Sequence, residues 1–165
     1  MPDIIDLSHI IEPGMPVYPG TKPPSIREVC SLNKDGFKES LFTFYSHIGT
    51  HLDAPAHIFQ NGKSVELFDS NKFFGPAMII NCTAKSSIDL LTVKNAWSES
   101  NKPDFILFQT GYSDLWGDEK YFRDFPVLSN EAAKYISSIP IKGLGIDAIS
   151  FDDFGENNLT IIKYY

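Results

Sequence analysis

Residues 37–57 read FKESLFTFYSHIGTHLDAPAH, and two kinds of signal meet in them. The first half is aromatic and β-branched, a composition that suits a pleated strand. The second half places three histidines, His47, His51 and His57, and one carboxylate, Asp53, within eleven residues. The spacing His-x3-His-x-Asp-x3-His is not that of a metal-binding HExxH helix, and Gly49 and Pro55 both interrupt helical backbone. In an extended chain residues 47, 51 and 53 share parity and therefore one face. Gly49 lies on that face too, and its missing side chain leaves the metal position unfilled. His51 and Asp53 would stand roughly 6–7 Å apart by strand rise. His47 is farther off, so the sequence predicts a bend or bulge near Gly49 that draws it inward.

Imidazole and carboxylate are the usual ligands of catalytic zinc and its neighbours in the first transition row. Three ligands, His47, His51 and Asp53, leave positions open for water and substrate, as catalytic sites require. A fourth histidine beside them, His57, can then move a proton. Pro55 holds Ala54 extended and helps deliver His57 to the rim. A structural metal site is the alternative, although such sites more often use cysteines. Four ordinary histidines are the other.

Upstream, residues 25–32 and 37–47 read as two strands joined at Asn33-Lys34-Asp35-Gly36, a turn that predicts a hairpin. Residues 12–24, EPGMPVYPGTKPP, hold five of the chain's 11 prolines. They cannot form a helix or an interior strand. This stiff loop carries Met15, Val17 and Tyr18, and either packs on its own domain or walls a pocket. Residues 3–9 read as a first strand ending at His9. His9 and Asp6 are either hydrogen-bonded structural groups or groups that orient the metal ligands.

Downstream, residues 75–82, 104–110 and 142–149 are compact apolar runs that read as central strands covered on both faces. Glycines in the last allow close backbone approach. Helices are predicted around 89–98 and over 130–138, the second with Ser129 as N-cap and Pro140 as its stop. A strand-rich first half followed by strand–helix–strand units predicts a layered α/β fold. With no repeat and no linker, the 165 residues fit one domain, 1–165.

Composition narrows the function. The chain is 42% apolar with 13 phenylalanines, enough for a packed core. Its formal net charge is -7, and no Lys/Arg block occurs. That argues against nucleic-acid binding and against a polybasic membrane contact. No apolar run approaches the ~20 residues of a membrane span. Cys30 and Cys82 lack CxxC spacing and read as reduced thiols, and the acidic N-terminus is no signal peptide, which together point to the cytoplasm.

The run His47-Ile48-Gly49-Thr50-His51-Leu52-Asp53-Ala54-Pro55-Ala56-His57 matches H-x-G-T-H-x-D-x-P-x-H at every defined place. With DLSHIIEPGMPVYPG at 6–20, FQTGYSDLW at 108–116 and GLGIDAISFD at 143–152, it resembles the cyclase family across nearly the whole chain. The best-known members are bacterial kynurenine formamidases (arylformamidases) and isatin hydrolases. The resemblance implies a compact β/β/α swivelling-type domain with a mixed sheet, forming a homodimer. It implies Zn2+ or Mn2+ on His47, His51 and Asp53, with His57 as acid/base group or as ligand to a second metal. Tyr18 stands where many relatives have a Trp bordering the substrate, and Gln109 where many have Arg.

The resemblance further implies a metal-dependent amidohydrolase acting on C–N bonds other than peptide bonds. Its substrate would be a small formamide of the N-formylkynurenine type, as in tryptophan catabolism. An isatin-like cyclic amide is the alternative substrate, and a non-catalytic metal-binding or structural homologue is the alternative role. Relatives carry a His and a Glu beyond the GID segment. Here Ile162 stands about where the His is expected, and Glu156 comes too early to replace the Glu. One ion rather than two is therefore expected. The closing IIKYY is apolar and is expected to pack on the domain or at a dimer interface.

Overall fold

The computed structural model describes residues 3–98 and 102–153, so the expectations for Glu156, Ile162 and the IIKYY end lie outside the described residues. The chain divides into two compact units, Met1–Asp53 and Ala54–Tyr165.

In the first unit the predicted hairpin forms. Strands β1 (Ser25–Cys30) and β2 (Glu39–Thr43) pair antiparallel, with a register shift between Glu28 and Cys30. The connection is longer than a plain turn: a single helical turn, α1 (Leu32–Asp35), closes on Gly36 at φ 78°. Gly36 donates its N–H to the Leu32 carbonyl, a left-handed ending that glycine adopts without strain. The second strand stops at Thr43 rather than at residue 47, and the chain then runs irregularly through the histidine cluster.

Residues 3–9 form no strand. The Asp6 carboxylate accepts the Ser8 N–H at 2.9 Å and the Ser8 hydroxyl at 2.6 Å. Such a local side-chain turn competes with ladder pairing. The same hydrogen bonds hold the Asp6 carboxyl below its ordinary range.

The proline-rich stretch is a loop built from two matching turns. In Glu12-Pro13-Gly14-Met15 the Met15 N–H reaches the Glu12 carbonyl at 3.2 Å. In Tyr18-Pro19-Gly20-Thr21 the Thr21 N–H reaches the Tyr18 carbonyl at 2.9 Å. Pro presets the second position of each turn and Gly supplies the positive φ at the third, 86° and 89°.

The second unit holds a parallel sheet, β3 (Ala77–Asn81), β5 (Phe105–Gln109) and β7 (Gly143–Ile146), in that order. A second parallel pair, β4 (Ser87–Ile88) and β6 (Val127–Leu128), precedes the two longer helices, α2 (Leu90–Ala96) and α3 (Asn130–Ile136). Each helix starts from a side-chain cap. Asp89 accepts the Thr92 N–H at 2.7 Å, and Ser129, as predicted, accepts the Ala132 N–H at 3.2 Å. The helices cover one face of the sheet. Ile80, Cys82, Ile106 and Phe108 from that face join Ile88, Val93, Leu128, Ala132, Ala133 and Ile136 in one buried cluster.

The expectation that both sheet faces are covered is corrected on β3, where Ile79 is 64% exposed while Ile80 is buried. The run MII therefore does alternate, although three apolar residues in a row hide the period. On β7 the glycines act as expected. A Cβ on Gly145 would meet Leu107 Cδ2 at 2.6 Å, and one on Gly143 would meet the Phe105 ring at 3.3 Å. Cys30 and Cys82 are both free thiols, one in each unit. Both parallel and antiparallel pairing are present, and the α/β class expected from sequence stands.

Candidate metal centre

The centre lies in the irregular stretch after β2. The chain bends at residues 46–47 and again at 49–50. Gly49 has φ 57°, a left-handed conformation that L side chains rarely adopt. This is the bend that parity alone required. The reason for the glycine differs from the expectation, however. A Cβ at residue 49 would meet Met15 Cε at 3.0 Å and Ile11 Cγ1 at 3.8 Å. Glycine is needed for the backbone turn and for packing against Met15, not to clear space at the metal position.

The bend brings His47, His51 and Asp53 together, with one possible ligand atom from each lying within 4.8 Å of the others. His47 Nδ1 stands 2.5 Å from Asp53 Oδ1, and His51 Nε2 stands 3.5 Å from the same oxygen. The two imidazoles meet edge to face, with ring centroids 5.3 Å apart and planes at 89°. All three side chains are about one-third exposed, at 38%, 33% and 34%, so solvent and small solutes reach them.

The tautomer of His51 follows from its neighbour. Its Nδ1 lies 2.7 Å from the Gly49 carbonyl oxygen, which can only accept. Nδ1 therefore carries a proton, which leaves Nε2, 3.5 Å from Asp53 Oδ1, as the ring nitrogen available to an ion. Histidines that bind metals are held in this way, with the other ring nitrogen donating to a carbonyl or carboxylate. Two imidazoles and a carboxylate, one imidazole oriented through its Nδ1 with Nε2 left for an ion, suit a zinc-type divalent ion.

His57 belongs to the second unit. It ends a 3-10 turn, Pro55–His57, whose first position is occupied by proline and whose last N–H donates to the Ala54 carbonyl at 2.8 Å. The side chain of His57 is exposed. Tyr18 is half exposed on the loop between the hairpin and the first Pro-Gly turn. Gln109 is exposed at the end of β5, where its carbonyl accepts the Cys82 N–H at 2.7 Å.

His9 is expected from sequence either as a hydrogen-bonded structural group or as one orienting the ligands, whereas Thr50, Met15 and Asp147 escape sequence reading. His9, through its backbone N–H, donates to Thr50 Oγ1 at 3.0 Å and so touches the bend. Thr50 looked like spacing between ligands, and Met15 like one apolar residue of a loop. In the second unit the Asp147 carboxylate accepts three hydrogen bonds at the end of β5: from Thr110 N, Thr110 Oγ1 and Gly111 N, at 2.7, 2.5 and 2.8 Å. Asp147 fixes the Thr110-Gly111 turn, and the signals for it were the charged residue closing an apolar strand and its place in the motif at 143–152.

Residues 5–153 match the family model described as "Putative cyclase". The chain belongs to the cyclase family. A kynurenine formamidase of Geobacillus thermodenitrificans (strain NG80-2) is 30% identical over 159 residues, covering 94% of this chain and 73% of the relative. A solved structure described as "predicted metal-dependent hydrolase from Bacillus stearothermophilus" is 27% identical with a TM-score of 0.77, covering 97% of this chain and 75% of that one. Isatin hydrolase A from Ralstonia solanacearum shares the fold, with a TM-score of 0.78 at 22% identity over 94% of this chain and 71% of that one. This member of the cyclase family is a hydrolase.

Proposed function

We propose that this cyclase-family hydrolase cleaves the C–N bond of aryl formamides, with N-formylkynurenine as the type of substrate. His47, His51 and Asp53 would hold one Zn2+ or Mn2+ ion, and His57 would serve as general acid/base. The observation that carries the reading is the convergence of the three donor groups within 4.8 Å, on a bend open to solvent. The formamide preference rests on the 30%-identical formamidase, whereas the isatin hydrolase is similar in fold alone.

An ion on these ligands would acidify a water molecule and polarise the substrate carbonyl. The remaining chemistry belongs to side chains. Asp53 brings the negative charge of the ligand set, and the Gly49 carbonyl engages His51 Nδ1 and so leaves Nε2 for the ion. His57 takes the proton of the attacking water and returns one to the departing aryl nitrogen, so that formate and the free arylamine leave. His57 follows Asp53 by four residues, with Pro55 stiffening the link, and in this reading residues 1–165 work as one domain. Tyr18 would border the aromatic ring of the substrate.

The reading includes a homodimer in the cytoplasm. Exposed Leu41, Phe42, Phe44 and Tyr45 on and after β2 support a covered surface. The two free thiols suit a reducing compartment. No helix among the described residues is long and apolar enough to cross a membrane.

The test strips the protein with a chelator, restores Zn2+ or Mn2+, and measures hydrolysis of N-formylkynurenine and of isatin. Formamide cleavage that appears only with metal is expected, with little action on isatin. His57→Ala should keep its metal and lose turnover by ~10²-fold or more. A metal-loaded protein inert toward formamides would point to a non-catalytic homologue, and isatin opening alone would move the substrate class.

A further inference from the structure

We propose that residues 9–15 are the positioning element of the metal centre, acting through Thr50 and Met15 on the bend that carries His47 and His51. This inference rests on the metal reading above. Residues 44–54 have no strand pairing, so no ladder of backbone hydrogen bonds orients the ligands. The segment before the hairpin touches the bend. The His9 N–H reaches Thr50 Oγ1 at 3.0 Å. Met15 Cε and Ile11 Cγ1 lie 3.0 and 3.8 Å from where a Cβ of residue 49 would stand, and so pack against that Cα.

The route from these contacts to the ligands is short. The carbonyl that fixes the His51 ring is that of Gly49. It belongs to the planar peptide unit joining Gly49 to Thr50, which turns only as a rigid whole. Anchoring Thr50 at one end and packing Met15 on the Gly49 Cα at the other fixes both ends of that unit and so the frame from which its carbonyl points. The His51 Nδ1 hydrogen bond then keeps its direction.

Met15 is itself well fixed. Its N–H closes the Pro13-Gly14 turn, and it is only 4% exposed on a segment that is otherwise mostly exposed. Ile48, also 4% exposed, fixes the bend from within. Thr50 and Met15 supply none of the three candidate ligand atoms. They are positioning residues, and their effect belongs in ion affinity and geometry.

The test titrates the full chain with Co2+, following the visible absorption bands and the Kd, for the wild type, Thr50→Val, Thr50→Ser and Met15→Ala. Thr50→Val removes the acceptor and keeps the shape, and Thr50→Ser restores the acceptor. Losing a group that orients a ligand typically costs 10–100-fold in metal affinity. Thr50→Val and Met15→Ala should each weaken Co2+ binding by about that factor and alter the bands, whereas Thr50→Ser stays near wild type. A folded Thr50→Val with wild-type Kd and spectrum overturns the proposal. If that variant does not fold, Met15→Ala decides: it keeps every hydrogen bond described here, and unchanged Co2+ binding in it overturns the proposal equally. A wild type that takes up no Co2+ removes the metal reading itself, which is a separate result from bound ion with insensitive variants.

Discussion

Gly49 shows how far single residues could be read. The clustering of His47, His51 and Asp53 was legible because histidine is scarce and the three share parity, and the structure does bring them together. The bend was legible because parity alone leaves His47 too far away. What Gly49 packs against was not legible, since Met15 lies 34 positions earlier and no local pattern joins the two. Replacing Gly49 by Ala tests this. Left-handed backbone costs an L residue about 1–2 kcal/mol, and the new methyl also presses on Met15. Gly49→Ala should therefore lower the unfolding midpoint in urea and weaken metal binding together. An unchanged midpoint would mean that the bend relaxes freely.

Elements were legible where capping and periodicity agreed. Helices α2 and α3 fall within the predicted 89–98 and 130–138, and Ser129 caps as expected. The strand predicted at 3–9 failed because Asp6 and Ser8 satisfy each other locally, which hydropathy does not register. The strand predicted to residue 47 ends at Thr43, because aromatic composition does not mark where a ladder partner runs out. Three predictions belong at this scale. Ser129→Ala should destabilise the fold by about 1 kcal/mol in denaturant unfolding, the usual cost of losing an N-cap.

Asp89 titrates in a known direction. Hydrogen bonds from the Thr92 side chain and amide hold its carboxyl below the ordinary 3.8. The folded state thus favours the ionised form. Its stabilisation is complete above pH 3.8 and is lost as pH falls through the lower folded value. Asp89→Asn should be less stable than wild type near neutrality, and the gap should close under strong acid. A gap that stays constant with pH would remove the carboxylate from that role. Burial also pushes the Cys82 thiol up, so an alkylating reagent should reach Cys82 only as the second unit opens, and Cys30 before it. Equal labelling of both thiols in native protein would contradict the buried core assignment.

At the scale of the whole molecule, alternating strands and helices after residue 75 pointed to an α/β class, and the three-stranded parallel sheet with two capped helices bears that out. The open face of β3 was not legible, because Met78, Ile79 and Ile80 look alike in sequence while only Ile80 is buried. Family membership gives this architecture its chemistry, and the claim at its centre is that His47, His51 and Asp53 hold an ion. The direct measurement is metal content by elemental analysis of the purified wild type, His51→Ala and Asp53→Ala. About one equivalent of zinc or manganese in the wild type and little in either variant is expected. Stoichiometric metal persisting in both variants would contradict it.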